Sequence, residues 1–302
     1  MAKVLIAAAL AALAQGATHP GTPFHPWGAD SYRTINAIEF TADGQSMFVA
    51  LETARVAKLE GRAPAPDAPE IALYESRREG GGWSRPQLLP FAGRFKDYEA
   101  SLSPDGQWML FNSWRPLPDG REITNGKNNL WLTRRTPEGW STPEYLAGIN
   151  RYDTEESYAA IAPDGLVLFI SEGAADANGP DWNLYQTRLT GNVAAAPAPF
   201  APAATNAGES DPWFARDGTY VIFTKWDRAR EWETAVDLYI TFRRGGGWTP
   251  AVPLIEINDP AGPDYAVSIA GSPERIYWKR RGGTMSAEWA PLLRAARARA
   301  IK

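Results

Sequence analysis

The sequence predicts an all-β protein, a five-bladed β-propeller of four-stranded antiparallel blades. Three observations carry that prediction. The first is an internal repeat of one strand–turn–strand unit. It reads NAIEFTADGQSMFVA from Asn36, DYEASLSPDGQWMLFNSWR from Asp97, ESYAAIAPDGLVLFIS from Glu156 and ESDPWFARDGTYVIFTK from Glu209, with a worn copy, DYAVSIAGSPERIYWK, from Asp264. The turns centre on Asp43, Asp105, Asp164, Asp217 and Ser272, at steps of 62, 59, 53 and 55 residues. Four strands in a unit of that length is the signature of a propeller blade. The second is composition: 13 Trp, 11 Tyr and 11 Phe in 302 residues favour sheet, and 27 Gly with 25 Pro supply turns. The third is a negative: residues 37–280 contain no helical period of the length that a parallel α/β fold needs between strands.

In chain order, Lys3 precedes the apolar run Val4–Ala14, and Ala14 and Gly16 stand before Ala17. A positive start, an apolar run and a small-residue site predict a signal peptide over residues 1–16, which makes the mature protein periplasmic or secreted. The 11 apolar residues are fewer than the ~20 that a membrane span needs. Residues 17–35, with His19, His25, Trp27 and Tyr32, form an irregular arm and a candidate closure strand.

The propeller is assigned to residues 36–290. Blade 1 takes Ala37–Thr41, Ser46–Leu51, Ile71–Ser76 and Trp83–Leu89, with Ala54–Pro69 as a loop rich in Ala and Pro. Blade 2 takes Glu99–Ser103, Trp108–Ser113, Asn129–Thr133 and Trp140–Leu146. Blade 3 takes Tyr158–Ala162, Val167–Ser171 and Asn183–Arg188, with an obscure fourth strand in the Ala/Pro run Ala194–Ala204. Blade 4 takes Pro212–Ala215, Tyr220–Lys225, Asp237–Phe242 and Trp248–Leu254, and blade 5 takes Tyr265–Ala270 and Arg275–Lys279 before the pattern fades. Residues 291–302 are a tail: Ala287–Ala300 reads as a short helix, or Glu288–Leu292 as a fourth strand, since Trp289 and Pro291 resemble Trp248 and Pro250. The ring must close, and the arm or the tail has to supply the strands that blade 5 lacks.

The run Ser103-Pro104-Asp105-Gly106, followed by Leu110-Phe111-Asn112-Ser113-Trp114-Arg115, resembles the TolB-type β-propeller repeat. Asn129-Leu130-Trp131, Asp181-Trp182-Asn183-Leu184-Tyr185 and Asp237-Leu238-Tyr239 resemble its third strand; Gly139-Trp140-Ser141-Thr142-Pro143 and Gly82-Trp83-Ser84-Arg85-Pro86 resemble its last segment. The resemblance covers roughly residues 36–280 and implies an extracytoplasmic protein of bacterial type but little about chemistry, in a family whose members act as protein-binding platforms or are propeller domains attached to something else. Departures are Ala37 where the second repeat has Glu99, the loss of Asp-Gly in the fifth repeat, and the missing Trp-Ser-x-Pro in the third.

Candidate sites follow from the topology. Asp43-Gly44, Asp105-Gly106, Asp164-Gly165 and Asp217-Gly218 read as structural turns that point to separate places on the rim. The starts of the inner strands converge on the central channel instead. Glu99, Glu156, Tyr158, Glu209, Asp211 and Asp264 are therefore candidate ligand-binding residues, and strand alternation puts Asp97 with Glu99, Glu156 with Tyr158 and Glu209 with Asp211. Trp114, Trp182, Trp226 and Trp232 flank the loops between second and third strands and, with Arg115, Lys225 and Arg228, form a second candidate surface, for a glycan or peptide.

The expected function is an extracytoplasmic binding or scaffolding module for a protein, peptide or glycan, acting as a monomer. The alternative is a glycoside hydrolase or lyase using channel-mouth carboxylates, which would need two of them about 5–9 Å apart. No cofactor is expected, although a carboxylate-held calcium ion is compatible with the mouth. Zinc or iron sites and a Ser-His-acid system are disfavoured, because the only two His lie in the arm and the chain has no Cys. A net charge of −4 with no basic stripe argues against nucleic acid.

Overall fold

The structure, a computed structural model, describes residues 21–28, 32–121, 127–151, 154–172, 182–203, 205 and 207–301. The expected signal peptide and His19 lie outside them. The five repeats are five antiparallel sheets, the blades of one propeller. The inner strands are Thr34–Phe40, Asp97–Leu102, Glu156–Ile161, Gly208–Phe214 and Asp264–Ala270. Each pairs with the second strand of its own blade, and that strand with a third.

In blades 1 to 4 the outer edge is two short pieces, both paired to the third strand; in blade 1 they are Gly82–Trp83 and Gln87–Leu88. A recurrent staple explains the break between the pieces. Ser76, Thr133, Thr187 and Thr241 each donate a side-chain hydroxyl to the carbonyl of Ser84, Ser141, Ala195 and Thr249, at 2.6, 2.7, 2.7 and 2.6 Å. The contact needs only a backbone carbonyl from the outer edge. That is why the Ala/Pro run of blade 3 still forms an edge, Val193–Ala194 and Ala198–Pro199, without the Trp-Ser signature. The Trp residues of the other edges serve packing: Arg78, Arg135 and Arg243 lie over Trp83, Trp140 and Trp248 at 4.3, 4.0 and 4.9 Å.

Blade 5 has three strands of its own, Asp264–Ala270, Arg275–Arg280 and Gly283–Glu288. Its outer strand is Thr22–Pro23 of the N-terminal arm, paired Thr22 to Ser286 and Pro23 to Met285. The arm then crosses to blade 1, where the Trp27 indole donates to the Ser84 carbonyl at 2.8 Å, and Phe24 packs on Tyr277 at 4.8 Å and Phe40 at 6.4 Å. The two ends of the ring are thus held by one segment, and the open edge disappears.

Two segments differ from the sequence reading. Ala54–Pro69 is not all loop: Thr53–Leu59 is a helix that buries Val56 and Ala57, because strong helix formers precede the first proline of the run. Glu288–Leu292 is not a fourth strand. Trp289–Ala300 is a helix, with Trp289, Leu292 and Ala296 buried against blades 4 and 5 and the Trp289 indole donating to the Tyr220 hydroxyl at 2.7 Å. Among the described residues no helix is long and apolar enough to cross a membrane.

The Asp-Gly turns are built as local chemistry requires. Asp43, Asp105, Asp164 and Asp217 accept the backbone N–H two residues on, at 3.0, 3.0, 3.3 and 3.0 Å, and the following glycines have φ of +67, +68, +77 and +70°. They are not all isolated on the rim. A Cβ on Gly218 would lie 3.3 Å from Pro163 of blade 3, and one on Gly44 would lie 3.3 Å from Gly271 of blade 5.

Candidate functional site

Each inner strand carries a bulge just after its first paired residues, between Ile35 and Ile38, Tyr98 and Ser101, Ser157 and Ala160, Ser210 and Trp213, and Tyr265 and Ser268. The residue within it is left-handed in all five blades: Asn36, Glu99, Tyr158, Asp211 and Ala266 have φ of +55, +54, +51, +47 and +52°. Non-glycine residues avoid this region, so five occurrences at one structural position mark a device, and a bulge re-aims a side chain. The second strand of the neighbouring blade holds two of them directly. The Tyr158 N–H donates to Asn112 Oδ1 at 3.1 Å, and the Ala266 N–H to Thr224 Oγ1 at 3.3 Å.

The bulge overturns the alternation expected from sequence. Glu99, Tyr158 and Asp211 line the channel, while the acids two residues earlier turn into the blades. Asp97 is fully buried and bidentate with Arg115 (2.5 and 3.0 Å), with Ser113 donating at 2.6 Å. Asp264 binds Arg280 at 2.7 and 3.1 Å and the Trp278 indole at 2.7 Å. Glu156 accepts from Arg151 N–H at 2.8 Å and Ser171 at 3.0 Å, and Glu209 accepts from Thr205 at 3.0 Å. These four pin the entrances of blades 2 to 5 to their own blades. Glu156, Glu209 and Asp264 therefore do not share the channel with Tyr158 and Asp211.

The channel itself is narrow. Its hole, between Glu99, Tyr158, Asp211 and Ala266, has a volume of about 30 Å³, the share of one water molecule. Glu99 is 8% exposed, and its Oε1 has no hydrogen-bond partner among the described residues. Burial and the nearby Asp211 carboxylate hold Glu99 well above the usual range; burial also pushes Asp211 up to about 6, against hydrogen bonds from Ser210 and Thr224. Lys279 lies beside Glu99, but its ammonium is spent on the Thr34 carbonyl and hydroxyl at 2.9 and 2.7 Å; burial lowers its pKa to about 8. Glu99 and Asp211 are the acids best placed to face a small cation, yet among the described residues no three His, Cys, Asp or Glu side chains converge as metal ligands.

Aromatic rings bank up on one side of this hole. Tyr158, Trp182, Trp226, Trp232 and Tyr265 form an unbroken arc over blades 3, 4 and 5, with successive centroids 5.8, 6.1, 5.6 and 6.1 Å apart. Both ends reach the channel: Tyr158 lines it, and Tyr265 adjoins Ala266. Trp226 is seated by a missing side chain, since a Cβ on Gly208 would fall 2.0 Å from its ring. Trp232 is 44% exposed and carries the arc into solvent.

The second surface expected from sequence is divided. Trp114 is 38% exposed, with its indole donating to Asn128 Oδ1 and Lys96 over its ring at 4.6 Å. Arg115 points inward to Asp97 and the Phe91 carbonyl, at 7% exposure, so it does not join Trp114 in a surface. Trp226 belongs to the mouth. Sequence reasoning missed Glu39 at the far end of the channel, where burial pushes it up to about 8 against the Arg216 charge. The available signal was a carboxylate inside a strand whose counterparts are Ser101, Ala160, Trp213 and Ser268.

These groups predict the pH dependence of stability. Burial raises Glu39 and Glu209 from 4.5 to about 8. The folded chain then holds more protons than the unfolded chain between those values, so stability falls as pH rises through that window. Asp43 and Asp164, held low, are already ionised throughout it. Thermal unfolding at constant ionic strength should show Tm decreasing from pH 5.5 to 7.5, and Glu39→Gln should flatten the slope. A Tm rising over that range contradicts this assignment.

No protein-family model matches the chain, and no curated protein is similar to it in sequence. Solved structures with the same fold include a protein of unknown function from Dyadobacter fermentans, at 13% identity and TM-score 0.53, covering 88% of this chain and 81% of that one. An α-L-arabinofuranosidase from Lactobacillus brevis is 10% identical, with TM-score 0.53, covering 83% of this chain and 90% of that one. An oligogalacturonate lyase from Vibrio parahaemolyticus is 11% identical, with TM-score 0.45, covering 86% and 67%. At such identities the first two likenesses bear on the fold alone, and the third, with a TM-score below 0.5, adds nothing to it.

Proposed function

We propose that the chain is an extracytoplasmic binding module of the TolB-like kind whose channel mouth takes a saccharide. The observation that carries this is the aromatic arc standing over buried carboxylates. Indole and phenol faces offer flat apolar platforms, and the acids below them accept hydrogen bonds from a ligand. The alternative, acid–base cleavage of a glycosidic bond between Glu99 and Asp211, is disfavoured by size. A hole of about 30 Å³ has room for one water molecule, and a sugar ring does not enter it. The ligand therefore rests on the mouth and reaches the carboxylates with a single substituent.

Calorimetric titration with a panel of oligosaccharides tests this reading. The expected result is binding to at least one of them that weakens about tenfold in Trp232→Ala, the equivalent of one lost ring contact of about 0.5–1.5 kcal/mol. Absence of binding to every saccharide, or affinity indifferent to Trp232, overturns it.

A further inference from the structure

We infer that the axial hole accepts a primary ammonium group, so that the saccharide recognised at the mouth carries a free amine; this rests on the saccharide reading above. The argument starts from what the hole lacks. Glu99 lines it and is 8% exposed; Asn36 and the Ala37 backbone hydrogen-bond its carboxyl, while the buried Oε1 has no partner among the described residues. A buried acceptor without a donor costs free energy that a ligand donor recovers. Asp211 lines the same hole from blade 4, facing Glu99 of blade 2. Two carboxyl groups and the Tyr158 side chain thus surround a space the size of one water molecule.

Charge narrows the choice. Lys279 is the buried cation beside Glu99, and Thr34 holds its ammonium through two hydrogen bonds. Arg33 is exposed at the rim, where solvent screens it. Two carboxyl groups thus share one buried cation, and Glu99, which burial and Asp211 keep protonated, ionises when a second cation enters the hole. A hydroxyl group would donate one hydrogen and no charge. An N-acetyl group is uncharged and too large for the space. A primary ammonium is close to water in size, donates three hydrogens and supplies the missing charge. The arc adds to the preference, because the faces of Trp and Tyr attract a cation.

The test compares a β-1,4-linked glucosamine oligomer with its N-acetylated counterpart and with a neutral glucose oligomer of equal length, on the full chain at pH 6.0, where the sugar amines are protonated. The free-amine oligomer should bind at least tenfold more tightly than either, and Glu99→Gln should abolish that preference. Asp211→Asn serves as the second variant, with Tm recorded for both so that misfolding is recognised. Equal affinity for amine and neutral oligomers, or a preference that survives in both folded variants, overturns the ammonium hole and leaves the saccharide reading standing. Failure of all three oligomers, together with every other saccharide of the panel, overturns that reading and the inference with it.

Discussion

Asp97→Ala should destabilise the propeller by about 3–5 kcal/mol, whereas Glu99→Gln, two residues away, should change stability little or raise it. The first substitution strands the guanidinium of Arg115, which is 7% exposed and makes its charge-assisted contacts with Asp97 at 2.5 and 3.0 Å. Breaking a buried ion pair by removing one partner has that cost because the remaining charge stays desolvated. Arg115 also donates to Ser113 and the Phe91 carbonyl at 2.9 and 2.7 Å, so it cannot swing out to water without releasing both. The second substitution removes a carboxyl that has an unpartnered oxygen and an acidic neighbour, so it relieves rather than creates a buried defect. Urea unfolding of the two variants separates the roles. Equal losses would mean that Glu99 is another blade pin and that the channel ring is structural.

Loss of both rings, in Trp226→Ala with Trp232→Ala, should weaken saccharide binding by about a hundredfold or more. Trp226 touches Trp182 and Trp232, so its removal opens the arc at its centre, and Trp232 is its most exposed member. Two ring contacts of about 0.5–1.5 kcal/mol each, plus the loss of a preformed platform, give that magnitude. Neither ring belongs to the buried clusters between blades, so Tm should fall by a few degrees at most. Trp114→Ala is the matched control: an exposed Trp outside the arc, whose loss should leave affinity unchanged. A double variant that binds normally would move the site elsewhere on the propeller.

The blades were readable from residues because the Asp-Gly turn has a fixed local chemistry that repeats. The same pattern located the inner-strand starts and picked out Glu99, Tyr158 and Asp211. What stayed hidden is physical rather than statistical. Alternation assumes an unbroken pleat, and a left-handed residue at Glu99, Tyr158 or Asp211 breaks it without a Gly or Asn to announce the bulge. That single feature moved Glu156, Glu209 and Asp264 from the channel into the blades. Arg115 looked like a loop cation because its partner, Asp97, is 18 residues upstream and meets it only once the first two strands pair. The arm at residues 17–35 was a candidate for closure, but nothing singled out Thr22–Pro23 within it, since two residues are too short for a strand pattern. The arc was legible in part: Trp114, Trp182, Trp226 and Trp232 all flank loops after second strands, but no spacing in sequence separates the three that meet from Trp114, which does not join them.

The central claim is that ligand binds on the aromatic arc over the channel. The most direct measurement is the set of indole N–H resonances of the 13 Trp residues, assigned by substitution and followed during saccharide titration. The account predicts that Trp182, Trp226 and Trp232 shift together along one saturating curve, while Trp83, Trp108 and Trp140 stay still. Shifts confined to Trp108, at the Asp-Gly end of the propeller, or spread over all indoles without saturation, would contradict it.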